Sequence, residues 1–153
     1  MLPILAAISI GQVVFPQGEF LALARLTAFD REMAGLVDAY LEAVPECPPR
    51  IDTPVRLWEM DISIIRARLA RAHLFPLTGF LPDIETRLAF KHYLYASDRY
   101  MSCFAGLLES YRVGGLPDSA AAIALEDGLI EADSVWTDCG AALFGLLEEK
   151  HWP

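Results

Sequence analysis

Prolines and glycines gather in three clusters that cut the chain into four long stretches, and each stretch repeats its apolar residues at helical spacing. The first runs from about Glu19 to Val44. There Ala22, Leu26, Phe29, Met33, Leu36 and Tyr40 return every three or four residues, as one face of a helix requires. Pro45, Pro48 and Pro49 end it, because proline lacks the amide donor and its ring clashes with the preceding turn. Thr53 and Pro54 restart a helix as N-cap and first helical residue. This second stretch is predicted to reach about Phe75, where Pro76, Gly79 and Pro82 stop it. The third begins near Asp83, a predicted N-cap, and ends at about Val113 before Gly114 and Gly115. The fourth starts after Pro117, capped by Asp118 or Ser119, and runs towards Lys150; Gly128, Gly140 and Gly145 mark where a kink or break is expected.

With no strand-like alternation and no internal repeat, four such helices on short joints predict an all-α fold. The expected architecture is an antiparallel four-helix bundle with an apolar N-terminal segment packed on it, a single helical domain over residues 1–153. A chain of this length with 54% apolar residues can bury one core and is too hydrophobic to stay disordered. The long third stretch argues against a globin, which is built from more and shorter helices.

Met1 to Gly18 carries no charge and resembles the apolar part of a secretory signal without the basic residues that normally precede it. Pro3, Gly11 and Pro16 interrupt it, and its apolar run falls short of the ~20 residues that span a bilayer. The expectation is a segment lying on the bundle. A targeting role or contact with a membrane surface through residues 1–16 stays open.

The net charge of −9, with no basic stripe, argues against nucleic-acid binding. Its distribution is uneven. Residues 54–113 hold eight basic and six acidic side chains, whereas residues 114–153 hold one basic and eight acidic. On the fourth helix Asp127, Glu131, Asp138 and Glu149 fall within about 40° of one another at 100° per residue, with no Lys or Arg before Lys150. The ridge reads either as a solvated face or as a docking surface for a basic partner protein. Arg56, Arg66, Arg68 and Arg71 of the second helix are candidates to meet it, within the chain or across a dimer.

The second helix has two apolar stripes where an isolated bundle needs one. Trp58, Ile62, Ile65 and Leu69 form one; Leu57, Met60, Ile64 and Ala67 form the other, about 140° away on the helical wheel. The second of these needs a cover, either the N-terminal segment, a second copy of the chain or a different partner. Asp61 and Arg68 lie between the stripes, placed to pair or to bridge to a partner. The predicted partner-binding set is Leu57, Met60, Ile64 and Arg68 on the second helix, with Asp127, Glu131 and Asp138 on the fourth.

Chemistry finds less support. None of His73, His92 and His151 has a Glu three residues before it, as di-iron bundles require, and the Cys and His spacings fit neither zinc nor c-type heme. No phosphate loop or nucleophile elbow occurs, and no cofactor or metal is expected. On the third helix Glu85, His92 and Arg99 recur every seven residues on the side of Cys103, an expected solvated stripe. Cys103 lies ~16 Å along the helix from His92, too far for a catalytic pair. A similar offset of ~16 Å separates Cys103 from Cys139, beyond disulfide reach. Both are expected as buried thiols and Cys47 as an exposed one, and an odd, small number of cysteines fits a reducing compartment such as the cytoplasm. The aromatic face of the third helix, Phe90, Tyr93, Tyr100, Met101, Phe104, Leu107, Leu108 and Tyr111, reads as core, as do Leu125, Leu129, Ala132, Trp136, Cys139, Leu143 and Leu147 of the fourth.

These readings lead to a non-enzymatic bundle that binds another protein, of inhibitor, immunity or adaptor type. The alternative is a small apolar ligand held between the third and fourth helices, or an unfamiliar enzyme using Glu85 or His92.

Overall fold

In a computed structural model the chain folds into four helices: α1 (Leu2–Ala43), α2 (Pro54–Leu74), α3 (Ile84–Gly114) and α4 (Ser119–Glu149). The structure describes residues 2–44, 51, 54–81, 83–114 and 119–150, and their side chains except those of 2–17, 114 and 119. A 3₁₀ turn, Phe75–Phe80, follows α2 directly. Pro76 enters that turn at its start, and the Thr78 hydroxyl donates to the Phe75 carbonyl at 2.9 Å. No strand occurs among the described residues.

Cross-helix pairs fix the topology. Arg66 reaches back to Glu32, and Gly18 lies against Phe80, so α2 runs antiparallel to α1. Arg71 meets Leu94 and Asp98 while Asp61 meets Arg112, reversing direction again for α3. Arg99 pairs with Glu131 and Lys150 with Asp83, which makes α4 antiparallel to α3. Edge-to-face contacts of Phe29 with Tyr93 at 5.9 Å and Tyr40 with Phe104 at 5.3 Å then join α1 to the parallel, diagonally placed α3. The result is the expected up-down-up-down bundle.

Its core is the one that periodicity marks. Ala22, Leu26, Phe29, Met33, Leu36 and Tyr40 of α1 are buried, as is the whole aromatic face of α3. Leu129, Ala132, Leu143 and Leu147 of α4 join them, with Leu125, Trp136 and Cys139 packed against the cluster half-buried. Each fully buried Leu or Phe contributes roughly 1.5–3 kcal/mol by leaving water.

Local chemistry sets the ends. Asp83 caps α3 as its residue type predicts, accepting the Thr86 amide at 2.8 Å and the Thr86 hydroxyl at 2.9 Å. The glycines of α4 do not end it, and Gly140 lets the helix close on Tyr93, whose ring would stand 3.3 Å from an added Cβ. Helix α1 differs from expectation, because it starts at Leu2 rather than near Glu19 and passes through Gly11 and Pro16. A proline costs a helix one backbone bond, a loss that the long flanking runs of residues tolerate here. Gly18 already stands opposite Phe80 at the far end of the 3₁₀ turn, so the stretch before it has no part of α2 facing it. The packing expected of the side chains of residues 1–16 lies outside the described residues, as do the Pro45 to Pro49 joint and the exposure expected of Cys47.

Candidate functional site

Helix α2 buries one of its two apolar stripes and leaves the other in water. Met60 and Ile64 are 1% and 4% exposed, Ala67 is buried, and Leu57 is half-buried against the core. Met60 and Ile64, predicted to bind a partner, therefore belong to the chain's own interior, in one hydrophobic core with buried residues of α1, α3 and α4. The opposite stripe is open: Trp58 is 63% exposed, Ile65 56% and Leu69 55%. No described part of the chain covers it. Ile62 is half-buried beside them, and Val55 extends the patch at the start of the helix.

The charged residues of α2 find partners other than those expected. Asp61 pairs with Arg112 of α3 rather than with Arg68. Arg66 pairs with Glu32 at 3.0 Å. Arg71 donates through Nε to the Leu94 carbonyl at 2.9 Å and lies over the Phe75 ring, so neither Arg66 nor Arg71 meets the acidic ridge of α4. Arg68 is exposed and forms no ion pair among the described residues.

Asp127, Glu131 and Asp138 of that ridge are all exposed. Glu131 accepts a hydrogen bond from Arg99 at 3.1 Å, so within the chain α3, the neighbour of α4, supplies a countercharge for which the arginines of α2 were candidates. Helix α2 lies diagonally across the bundle from α4 and cannot do so.

Asp138 lies on an open groove of about 370 Å³ between α3 and α4, with Glu85, His92 and Cys139 around an apolar floor of Leu88, Ala89, Ala142 and Leu146. The stripe of Glu85, His92 and Arg99 thus follows the α3–α4 seam rather than facing water alone. At one end Lys150 Nζ meets Asp83 Oδ1 at 2.7 Å, Glu85 Oε2 at 3.3 Å and Thr86 Oγ1 at 3.2 Å. The Lys150 ammonium and the Thr86 amide hold the Asp83 carboxyl at about 2, below its ordinary 3.8. The same contact with Asp83 raises Lys150. At the other end Cys103 lies 3.8 Å from the Gly128 carbonyl, and burial pushes its thiol up, against nucleophilic use. Cys103 and Cys139 are both free.

A second groove, about 270 Å³, opens between α1 and α4, which pack less closely than the other neighbouring helices. Tyr93 forms its floor. Its hydroxyl donates to Asp30 Oδ1 at 2.9 Å, and its ring stacks on Trp136 and meets Phe144 edge-on. Burial first, then the Asp30 carboxylate, raises the Tyr93 phenol. Tyr40 and Tyr100 are raised the same way, by burial and then by Glu126 and Asp133 respectively. The Tyr93 phenol serves as a neutral hydrogen-bond donor. The Tyr93 to Asp30 link has no signal in the sequence, since the residues are 63 positions apart on diagonal helices. Lys150 had one, as the lone basic residue of an acidic helix.

No three His, Cys, Asp or Glu among the described residues are grouped to hold a metal ion, and no described helix is long and apolar enough to cross a membrane. Compared with known proteins, the chain matches no family model, no curated protein and no solved structure.

Proposed function

We propose that this chain is a non-enzymatic helical bundle that works by binding another protein, and that the outward face of α2 is its docking surface. The exposure of Trp58, Ile65 and Leu69 together on one helix face supports the reading. Monomeric proteins rarely keep so continuous an apolar patch in water, and tryptophan is enriched among residues that dominate binding energy. The binding set on α2 is accordingly the Trp58 stripe with Arg68 beside it, in place of Met60 and Ile64. The acidic ridge takes a lesser part because Arg99 already offsets Glu131.

A photo-crosslinking amino acid placed at Trp58 in living cells tests the proposal. A discrete protein adduct is expected, absent when the same group replaces exposed Glu148 on α4. No adduct at position 58, or equal adducts at both positions, overturns it.

The α3–α4 groove favours a second reading. Its volume of about 370 Å³ falls in the range of small-molecule sites, and Glu85, His92 and Asp138 border an apolar floor. A fragment screen followed by NMR is expected to shift the His92 ring signals together with those of Leu88 and Ala142. Shifts scattered over the whole surface would count against a site.

A further inference from the structure

We propose that the occupant of the α2 face is a second copy of this chain, lying antiparallel across a two-fold axis; this rests on the protein-binding reading above. Val55, Trp58, Ile62, Ile65, Leu69 and Ala72 follow one another along the outward face at alternating steps of three and four residues. That alternation is the a/d repeat by which two helices interlock, and it spans nearly the whole of α2. In a bundle monomer the stripe opposite the core has no reason to keep this repeat, because exposed positions are free to be polar.

The charges beside the seam select the partner. One flank carries Glu59 and then Arg66, the other Asp61 and then Arg68, so on each flank the sign reverses after seven residues. An antiparallel two-fold that sets Ile62 against Ile65 of the second copy also sets Trp58 against Leu69 and Val55 against Ala72. In that one register Glu59 lies beside Arg66 of the second copy, and Asp61 beside Arg68. Both flanks are then complementary, and the face is complementary to itself, as a two-fold interface requires. A parallel pair matches only Asp61 with Arg66, leaves Glu59 opposite Pro54 and sets Arg68 beside His73. Opposed helix dipoles also favour the antiparallel arrangement.

The contacts within the chain prepare these groups for sharing. Arg66 is held by Glu32 while its side chain stays 64% exposed, leaving guanidinium donors for Glu59 of the second copy. Asp61, braced by Arg112, keeps acceptor capacity for Arg68 of the second copy, and the Arg68 and Glu59 side chains form no ion pair among the described residues. The apolar layers supply the association; the charges set its direction.

Light scattering of the purified full chain over a concentration series is expected to give the mass of a dimer. Ile65→Glu or Leu69→Glu, both at exposed positions, is expected to give a monomer with unchanged helical circular dichroism. Direction is read by mixing a Val55→Cys chain with an Ala72→Cys chain under mild oxidation and locating the new link by peptide mass spectrometry. A link between 55 and 72 of different chains is expected. A wild type monomeric at every concentration overturns the second copy, and a foreign adduct at Trp58 in cells would then leave the docking surface itself standing. A dimer that survives Ile65→Glu overturns the proposal by placing the contact on another face. Links only between like positions overturn the antiparallel arrangement.

Discussion

The Tyr93 hydroxyl donates to Asp30 at 2.9 Å, joining two diagonal helices at the floor of a groove while the Tyr93 ring stays 1% exposed. Ring and hydroxyl therefore contribute very differently to stability. Tyr93→Phe removes one hydrogen bond to a carboxylate that water can reach through the groove, at a cost of about 1–2 kcal/mol. Tyr93→Ala also empties the space between Phe29, Trp136 and Phe144 and is expected to cost about 3–5 kcal/mol. Urea unfolding measures both; equal losses would mean that the hydrogen bond, not the packing, holds the centre of the bundle.

Two glycines of α4 are expected to respond in opposite directions to the same substitution. A Cβ at Gly145 meets nothing within 4 Å, so Gly145→Ala gains helix propensity and raises stability by roughly 0.5–1 kcal/mol. At Gly140 the Cβ comes within 3.3 Å of Tyr93 Cε2, on a ring already packed against Phe29 and Trp136. Overpacking there outweighs the propensity gain, and Gly140→Ala is expected to lower stability by about 1 kcal/mol. Thermal unfolding of the two variants side by side checks the signs.

Adjacent isoleucines on α2 separate core from surface. Ile64 is 4% exposed and Ile65 is 56% exposed. Ile64→Glu buries a carboxylate without a partner and is expected to cost about 4 kcal/mol or more, enough to unfold a marginal domain. Ile65→Glu, read by denaturant unfolding in dilute solution, is expected to change stability by less than about 0.5 kcal/mol. A severe loss from Ile65→Glu would mean that its stripe is internal after all.

That pair also marks how far the sequence could be read. Periodicity identified the core faces of α1, α3 and α4, and residue type identified Asp83 as a cap, because each signal is local and one-sided. On α2 it identified two stripes and could not rank them. Both are apolar, and the same charged residues flank both; the choice is made by the core residues of the other helices, which lie elsewhere in the sequence. The extent of α1 was hidden for another reason. Gly11 and Pro16 weaken a helix locally without ending it, so a count of breakers stops the element too early. The pairing of Arg99 with Glu131, and of Asp61 with Arg112, depends on which helices are neighbours rather than diagonal. Nothing within a single helix encodes that order.

The Asp83 cluster ties the start of α3 to the end of α4, and it should make stability depend on acid. The Asp83 carboxyl titrates at about 2 in the folded chain against 3.8 for the free group, chiefly through Lys150 and then the Thr86 amide. A group whose folded value is depressed contributes its full stabilisation above the unfolded value and loses it as pH falls towards the folded value. Stability from this cluster is thus complete above about pH 4 and declines between about 4 and 2. Asp83→Asn retains an acceptor for the Thr86 amide but removes the charge facing Lys150. The variant is expected to be less stable than the wild type at neutral pH and to converge with it as pH falls through that window. Lys150→Met should produce the same convergence, since it removes the largest cause of the shift. Unfolding free energies of the three proteins measured from pH 7 to pH 2 provide the check; parallel curves would show that Asp83 acts as a helix cap alone.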